Sequence, residues 1–227
     1  NVGGPAPGRF EVGEVYAIPL SNGFEAAEEY PPGKIFADFV GGRVAFDQDM
    51  INIEQIAHPN DKWYGRGVVV AVLDSGLLPN WDYFFPRNRI ITELGIGFEQ
   101  DFTTGEIITV PWDDAVHGHG THVASTIIGY NFRGTPITGV APLAKIIPVK
   151  VLSYYDSTSG RVWGTWKMIA AGVDYITSLV QSGMFEPGKV IINLSLGGGH
   201  SPIMEEAVNR AIAAGVIVVA CAGNSGS

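Results

Sequence analysis

Val68-Val69-Val70-Ala71-Val72-Leu73-Asp74-Ser75-Gly76 is the stretch that decides the fold. Its apolar, mostly β-branched run suits a strand covered on both faces, the situation inside a parallel sheet. Turn-forming residues then close it. Ile146 to Leu152, Val190 to Leu196 and Val216 to Cys221 repeat the theme. Between these runs lie helical stretches, Gly120 to Gly129, Val162 to Ser182 and Ser201 to Ala214. The last opens with Ser201-Pro202, a capping residue before a proline at the first helical position, and closes at Gly215. Strands alternating with helices predict an α/β fold, a doubly wound, mostly parallel sheet flanked by helices. Ligands of such sheets bind outside the carboxyl ends of the strands, so chemistry is sought among the polar residues found there.

Composition narrows the function classes. The 227 residues carry 14 Lys and Arg against 23 Asp and Glu, a formal charge of −9, and no basic run. A nucleic-acid partner is therefore not expected, because such binding rests on cations that neutralise phosphates. A hydrophobic content of 46% with 16% charged residues belongs to a globular chain. No apolar run approaches the ~20 residues that cross a bilayer, and no membrane partner is expected. Cys221 is the single cysteine, which excludes an intramolecular disulfide and any C-x-x-C motif. Residues 1–48 read as an N-terminal extension, with Gly3-Gly4-Pro5-Ala6-Pro7-Gly8, Pro31-Pro32-Gly33 and Gly41-Gly42 punctuating short strand-like pieces. Residues 49–227 are expected to form the main domain. The chain opens at Asn1 with no signal-like segment, so the expectation is a removed leader or a fragment.

Asp74 ends the first strand, where a carboxylate is partly dry and needs hydrogen-bond donors. Alone, Asp-Ser-Gly is turn chemistry. Its partner is His117-Gly118-His119-Gly120-Thr121-His122-Val123-Ala124-Ser125, which holds three of the chain's five histidines at the start of a predicted helix. Glycines on both sides of His119 are expected to allow close backbone approach and leave its imidazole unobstructed. A general base needs that access, and a partner that selects its tautomer and stabilises the imidazolium; Asp74 is the candidate. His122 is read as a core histidine and His117 as a loop residue. Ala220-Cys221-Ala222-Gly223-Asn224-Ser225-Gly226 leaves a strand and offers Asn224, whose carboxamide can donate to a developing oxyanion, although Gly-Asn-Ser-Gly is also a good turn. Asn193-Leu194-Ser195-Leu196-Gly197-Gly198-Gly199 runs a strand into three glycines, leaving room for an extended peptide to pair with the main chain.

These segments stand in the order and at roughly the spacing of the subtilisin-like serine proteases, and from about Ile51 to Ser227 the chain resembles that family. The resemblance implies that Asp74 orients and supports His119, that His119 passes a serine's proton to the leaving amine, and that Asn224 stabilises the oxyanion. It assigns Ser195, Leu196 and Gly197 to the strand that pairs with substrate, and Ala222 and Gly223 to the pocket for the side chain before the scissile bond. Ser159, Gly160 and Arg161 match the strand on the substrate's other side, so a polypeptide substrate becomes the middle strand of a short sheet. The chemistry requires no cofactor. A structural calcium is expected near Asp82 and Asn131, although Phe132 stands where an oxygen ligand belongs. Family relatives imply secretion. Cys221, just before the oxyanion turn, is read as a small buried strand residue, with sensitivity to mercurials as the alternative.

The family's nucleophile lies in Gly-Thr-Ser-Met-Ala, several tens of residues beyond the oxyanion asparagine, and that motif does not occur here. Ser195 belongs to the substrate strand, and Ser225 and Ser227 to the oxyanion turn. The expectation is the amino-terminal part of a protease, a sheet incomplete at its C-terminus and inactive as these 227 residues, with the serine on a further C-terminal segment or a separate chain. Two functions compete with it. One is an inactive peptide-binding relative that uses the glycine-edged strands. The other is a metal-dependent hydrolase that draws ligands from Asp113, Asp114, His117, His119 and His122. Asp113-Asp114 is otherwise read as a solvated pair or as a feature favouring basic groups in the substrate.

Overall fold

The computed structural model describes residues 64–223; the expected extension at 1–48 and Asn224 lie outside them. The β-branched run forms β1 (Val69–Asp74), buried over its whole length. Val69, Ala71 and Leu73 face one core, and Val70 and Val72 face the other. β1 is paired in parallel on both edges, with β6 (Lys145–Lys150) on one side and β9 (Val190–Leu194) on the other. Beyond β6 lie β2 (Ile96–Gln100), parallel, and β3 (Ile107–Val110), antiparallel to β2. Beyond β9 lies β10 (Ile217–Ala220), also parallel. The order is thus β10-β9-β1-β6-β2-β3. After β1 the chain lays β2, β3 and then β6 on one side and only later adds β9 and β10 on the other, which makes the end of β1 a topological switch point. Asp74 is the residue at that end.

Helices cover both faces, as a doubly wound sheet requires. α3 (Trp166–Gln181) packs Met168, Val173 and Ile176 against the odd-numbered face of β1, and α4 (Pro202–Ala213) extends the same core with Ala207 and Ala211 against α3 and β10. Ala124 and Ile128 of α2 (His119–Ile128), with Phe85 and with Trp81 and Phe84 of the short α1 (Trp81–Phe84), cover the even-numbered face. Leu73 and Val72, each at most 2% exposed, lie on opposite sides of the same strand. Full burial of one such side chain contributes roughly 1.5–3 kcal/mol.

Several expectations are corrected. The stretch expected to be helical from Val162 instead begins as a hairpin of β7 (Tyr154–Asp156) and β8 (Arg161–Trp163), and the helix starts only at Trp166. The reason is local. Gly164 passes so close to Val151 that a Cβ there would collide with the Val151 carbonyl, and Thr165 then caps α3 by accepting from the Met168 amide at 3.3 Å. A second hairpin, β4 (Gly129–Phe132) with β5 (Thr135–Thr138), follows α2 directly. Ser201 stands at the N-cap of α4 with Pro202 inside the helix, but its side chain makes no capping bond. Most consequential, the described residues leave β10 partly uncovered: Ile217 and Val219 are 46% and 49% exposed, and Cys221 beyond it is exposed as well.

Candidate active site

The end of β1 and the start of α2 meet through short hydrogen bonds. His119 Nδ1 lies 2.8 and 2.9 Å from the two carboxylate oxygens of Asp74. The carboxylate is fully buried, whereas the imidazole keeps 26% of its surface exposed. Asp74 Oδ1 also accepts the Ser75 amide at 2.6 Å, so the dry carboxylate has the donors its burial demands. The Asp74 carbonyl accepts the amides of Val151 and Leu152 at 2.8 and 3.0 Å, fastening it to the chain beyond β6. The hydrogen bond to Asp74 raises the proton affinity of His119 above the ordinary imidazole value; the Asp74 charge adds to this, and partial burial opposes it.

Ser75 is the clasp that sequence reasoning missed. Its hydroxyl donates to the His117 carbonyl at 2.9 Å and accepts the Gly120 amide at 2.9 Å, tying β1 to the first turn of α2. Gly120 has to be glycine, because a Cβ would collide with the Gly76 carbonyl and crowd the Cβ of Asp74 at 3.2 Å. Gly118 does not: a Cβ there would make ordinary contact with Leu78, so the expected need for glycine on both sides of His119 holds on one side only. Thr121, fully buried, accepts the Leu78 amide at 3.0 Å and fixes the same turn from beneath.

His117 is more than a loop residue. Its Nδ1 accepts the main-chain amide of His119 at 3.2 Å, and its ring stacks on Tyr155 of β7 with centroids 5.7 Å apart. Burial pushes its proton affinity below the ordinary imidazole value; the neighbouring His119 adds to this, and Asp74 opposes it. His122, expected in the core, is exposed on α2. Among the described residues no three His, Cys, Asp or Glu side chains gather as a metal site, so the histidine cluster does not converge on an ion. Asp113 and Asp114 are both exposed, as a solvated pair would be, and Asp114 also pairs at 2.6 Å with the buried ammonium of Lys150, which lies 3.5 Å from Glu99 as well. No sequence signal marked Lys150; its register position beside Asp74 across β1 and β6 explains its burial.

The other nominated residues are scattered along the strand ends. Ser159 and Gly160 form the tip of the β7–β8 hairpin, where Ser159 Oγ donates to Asp156 at 2.6 Å and Gly160 has φ +68°, and Arg161 begins β8, exposed. Ser195, Leu196 and Gly197 follow β9 alongside the chain leaving β10: the Cys221 amide donates to the Leu194 carbonyl at 3.2 Å and its thiol to the Leu196 carbonyl at 3.4 Å. Ser195 Oγ donates to Asn193 at 2.9 Å. Gly197, Ala222 and Gly223 are exposed, and a Cβ on Gly197 would meet nothing, whereas one on Gly198 would strike the Trp166 ring. Asp82 is committed to an ion pair with Arg87, and the buried Asn131 accepts the Gly134 amide at 2.9 Å and donates to the Tyr83 carbonyl at 3.4 Å. A calcium ion there would compete with Arg87 for Asp82 and would find few of the six to eight oxygens it takes, so these two residues do not fit the ion as they stand.

The family model described as the Subtilase family matches residues 65–227. The chain belongs to the subtilase family. It is 34% identical over 164 residues to Subtilisin DY of Bacillus licheniformis, covering 72% of this chain and 49% of that protein. It is 40% identical over 162 residues to Subtilisin-like protease 4 of Trichophyton equinum, covering 70% of this chain and 34% of that protein. Among solved structures, Sphericase aligns with a TM-score of 0.54 and 30% identity over 72% of this chain and 48% of that one. Fervidolysin from Fervidobacterium pennivorans aligns with a TM-score of 0.52 and 28% identity over 77% of this chain and 24% of that one. This subtilase chain thus spans about half the length, or less, of these relatives. Membership goes with the subtilisin-like α/β sheet that the chain shares with these solved structures. Among the described residues no helix is long and apolar enough to cross a membrane.

Proposed function

We propose that this chain carries the proton-handling half of a secreted serine endopeptidase. The observation that supports this reading best is the His119–Asp74 pair, a buried carboxylate bonded to one nitrogen of a partly exposed imidazole at the switch point of the sheet. Asp74 holds the proton on Nδ1, so Nε2 presents its lone pair. A serine from outside these 227 residues, on a further segment or a separate chain, gives its proton to Nε2 as it attacks the scissile carbonyl. The imidazolium, stabilised by Asp74, then returns that proton to the leaving amine. Asn224 donates to the oxyanion of the tetrahedral intermediate. The substrate lies extended between the segments Ser195–Gly197 and Ser159–Arg161, with Ala222 and Gly223 lining the pocket before the cleaved bond.

A fluorophosphonate should label the complete protein once, at a serine, and His119→Ala should abolish the labelling together with peptide hydrolysis. A complete protein that resists the reagent and cleaves no peptide overturns the endopeptidase. If such a protein still binds extended peptides, it fits instead the reading of an inactive peptide-binding subtilase, which the open edge at Gly197 favours.

A further inference from the structure

α2 begins with a glycine at its N-cap, so the residue that ordinarily shields the first amides of a helix has no side chain here. Two of those amides find acceptors outside the helix. Gly120 donates to Ser75 Oγ at 2.9 Å, and His119 donates to His117 Nδ1 at 3.2 Å. The second bond holds the main chain of the very residue whose imidazole meets Asp74. We propose that His117 is a positioning residue for His119: its ring nitrogen caps α2 at the base itself and sets where the imidazole stands relative to Asp74. The proposal rests on the reading of His119 as the general base.

His117 is placed to do this because it is held at both ends. Its carbonyl accepts the Ser75 hydroxyl at 2.9 Å, and its ring lies against Tyr155 with an interplanar angle of 29°. The side chain therefore cannot swing away without giving up a stack and a cap together. Accepting an N–H requires a lone pair on Nδ1, so the neutral ring carries its proton on Nε2. His119 has the opposite tautomer, with the proton on Nδ1 for Asp74. Two neighbouring histidines thus share one loop in complementary states, and each state is selected by a hydrogen bond of the fold.

The His119 imidazole, 6.4 Å away between centroids, opposes a second positive charge; Asp74 favours one; Tyr155 and the Ser75 hydroxyl are neutral. Asp114, three residues earlier, is occupied by Lys150. Burial holds the proton affinity of His117 below the ordinary imidazole value, in keeping with the bare Nδ1 that the cap uses. Asparagine is the substitute that can reproduce the bond, since its short side chain accepts from the amide two residues on. Leucine fills space without offering an acceptor.

Long-range imidazole nitrogen NMR of the unaltered complete protein should show His117 protonated on Nε2 and bare on Nδ1; a proton on Nδ1 at neutral pH overturns the proposal whether or not any variant folds. His117→Leu should lower kcat about 10- to 100-fold, the size expected when a reacting group is slightly misplaced, with KM within about twofold. His117→Asn should recover most of that loss. Equal kcat values for the two variants, or a loss confined to KM, overturn the proposal. If His119→Ala leaves kcat intact, the functional reading fails instead, independently of residue 117.

Discussion

β1 and β10 are written in the same alphabet, yet among the described residues one is buried and the other is not. Val69–Asp74 is buried at every position, while Ile217 and Val219 are about half exposed. The difference is one of neighbours. β1 has a parallel strand on each edge and helices over both faces, and among the described residues β10 has β9 on one edge, with Val218 turned toward the core that α3 and α4 share. A β-branched run therefore announces a strand without announcing how many of its sides are covered. The strand with all sides covered is also the one whose end can hold a dry, charged side chain, because its neighbours supply the donors and exclude water.

That comparison can be tested from its strongest consequence downward. Asp74→Asn should leave the fold intact and lower kcat about 10⁴-fold in the complete protein, because the amide selects the wrong His119 tautomer. A loss of tenfold or less in peptide hydrolysis would remove the special standing of the end of β1. Leu73→Ala, inside the same strand, should cost about 2–5 kcal/mol in urea denaturation. A third test follows from His119, whose proton affinity is raised in the folded chain. Peptide hydrolysis, which needs the neutral imidazole, should fall as pH drops through a midpoint above 6.5. The stability that the charged pair contributes should be fully present below 6.5 and lost as pH rises through that midpoint. A pH titration of unfolding in His119→Ala should lack this change. Smallest is Val219→Thr in this 227-residue chain, expected within about 0.5 kcal/mol of the unaltered chain. A cost as large as that of Leu73→Ala would erase the contrast between the two strands.

The fold and the paired residues were legible because each leaves a local mark. Buried strands concentrate β-branched residues, helices have recognisable ends, and Asp74 and His119 sit in short motifs where a strand or helix meets a turn. The clasp around them left no such mark. Ser75 reads as part of a turn, and only its position between the His117 carbonyl and the Gly120 amide makes it a hinge pin. Lys150 reads as a strand lysine until the register places it beside Asp74 and against Asp114. His122 reads as a core histidine but faces out, because which side of a helix meets the sheet depends on the sheet, and His117 is the loop residue it reads as but is half-buried and bonded to the main chain of the base. The hairpin at Tyr154–Trp163 was hidden for a related reason, since Gly164 turns the chain where it passes the Val151 carbonyl, a distant contact.

The amino-acid sequence by itself determined the alternation of strands and helices and the identity of the two groups that meet at the end of β1, because periodicity, turn residues and reactive side chains are properties of neighbours in the chain. Tertiary structure alone decided which neighbours each strand meets among the described residues, which partner each histidine nitrogen faces, and which polar side chains hold the loop in place. Those outcomes depend on hydrogen-bond partners and water exclusion contributed by residues some forty positions apart, such as Asp74 and His119, whose separation is 45.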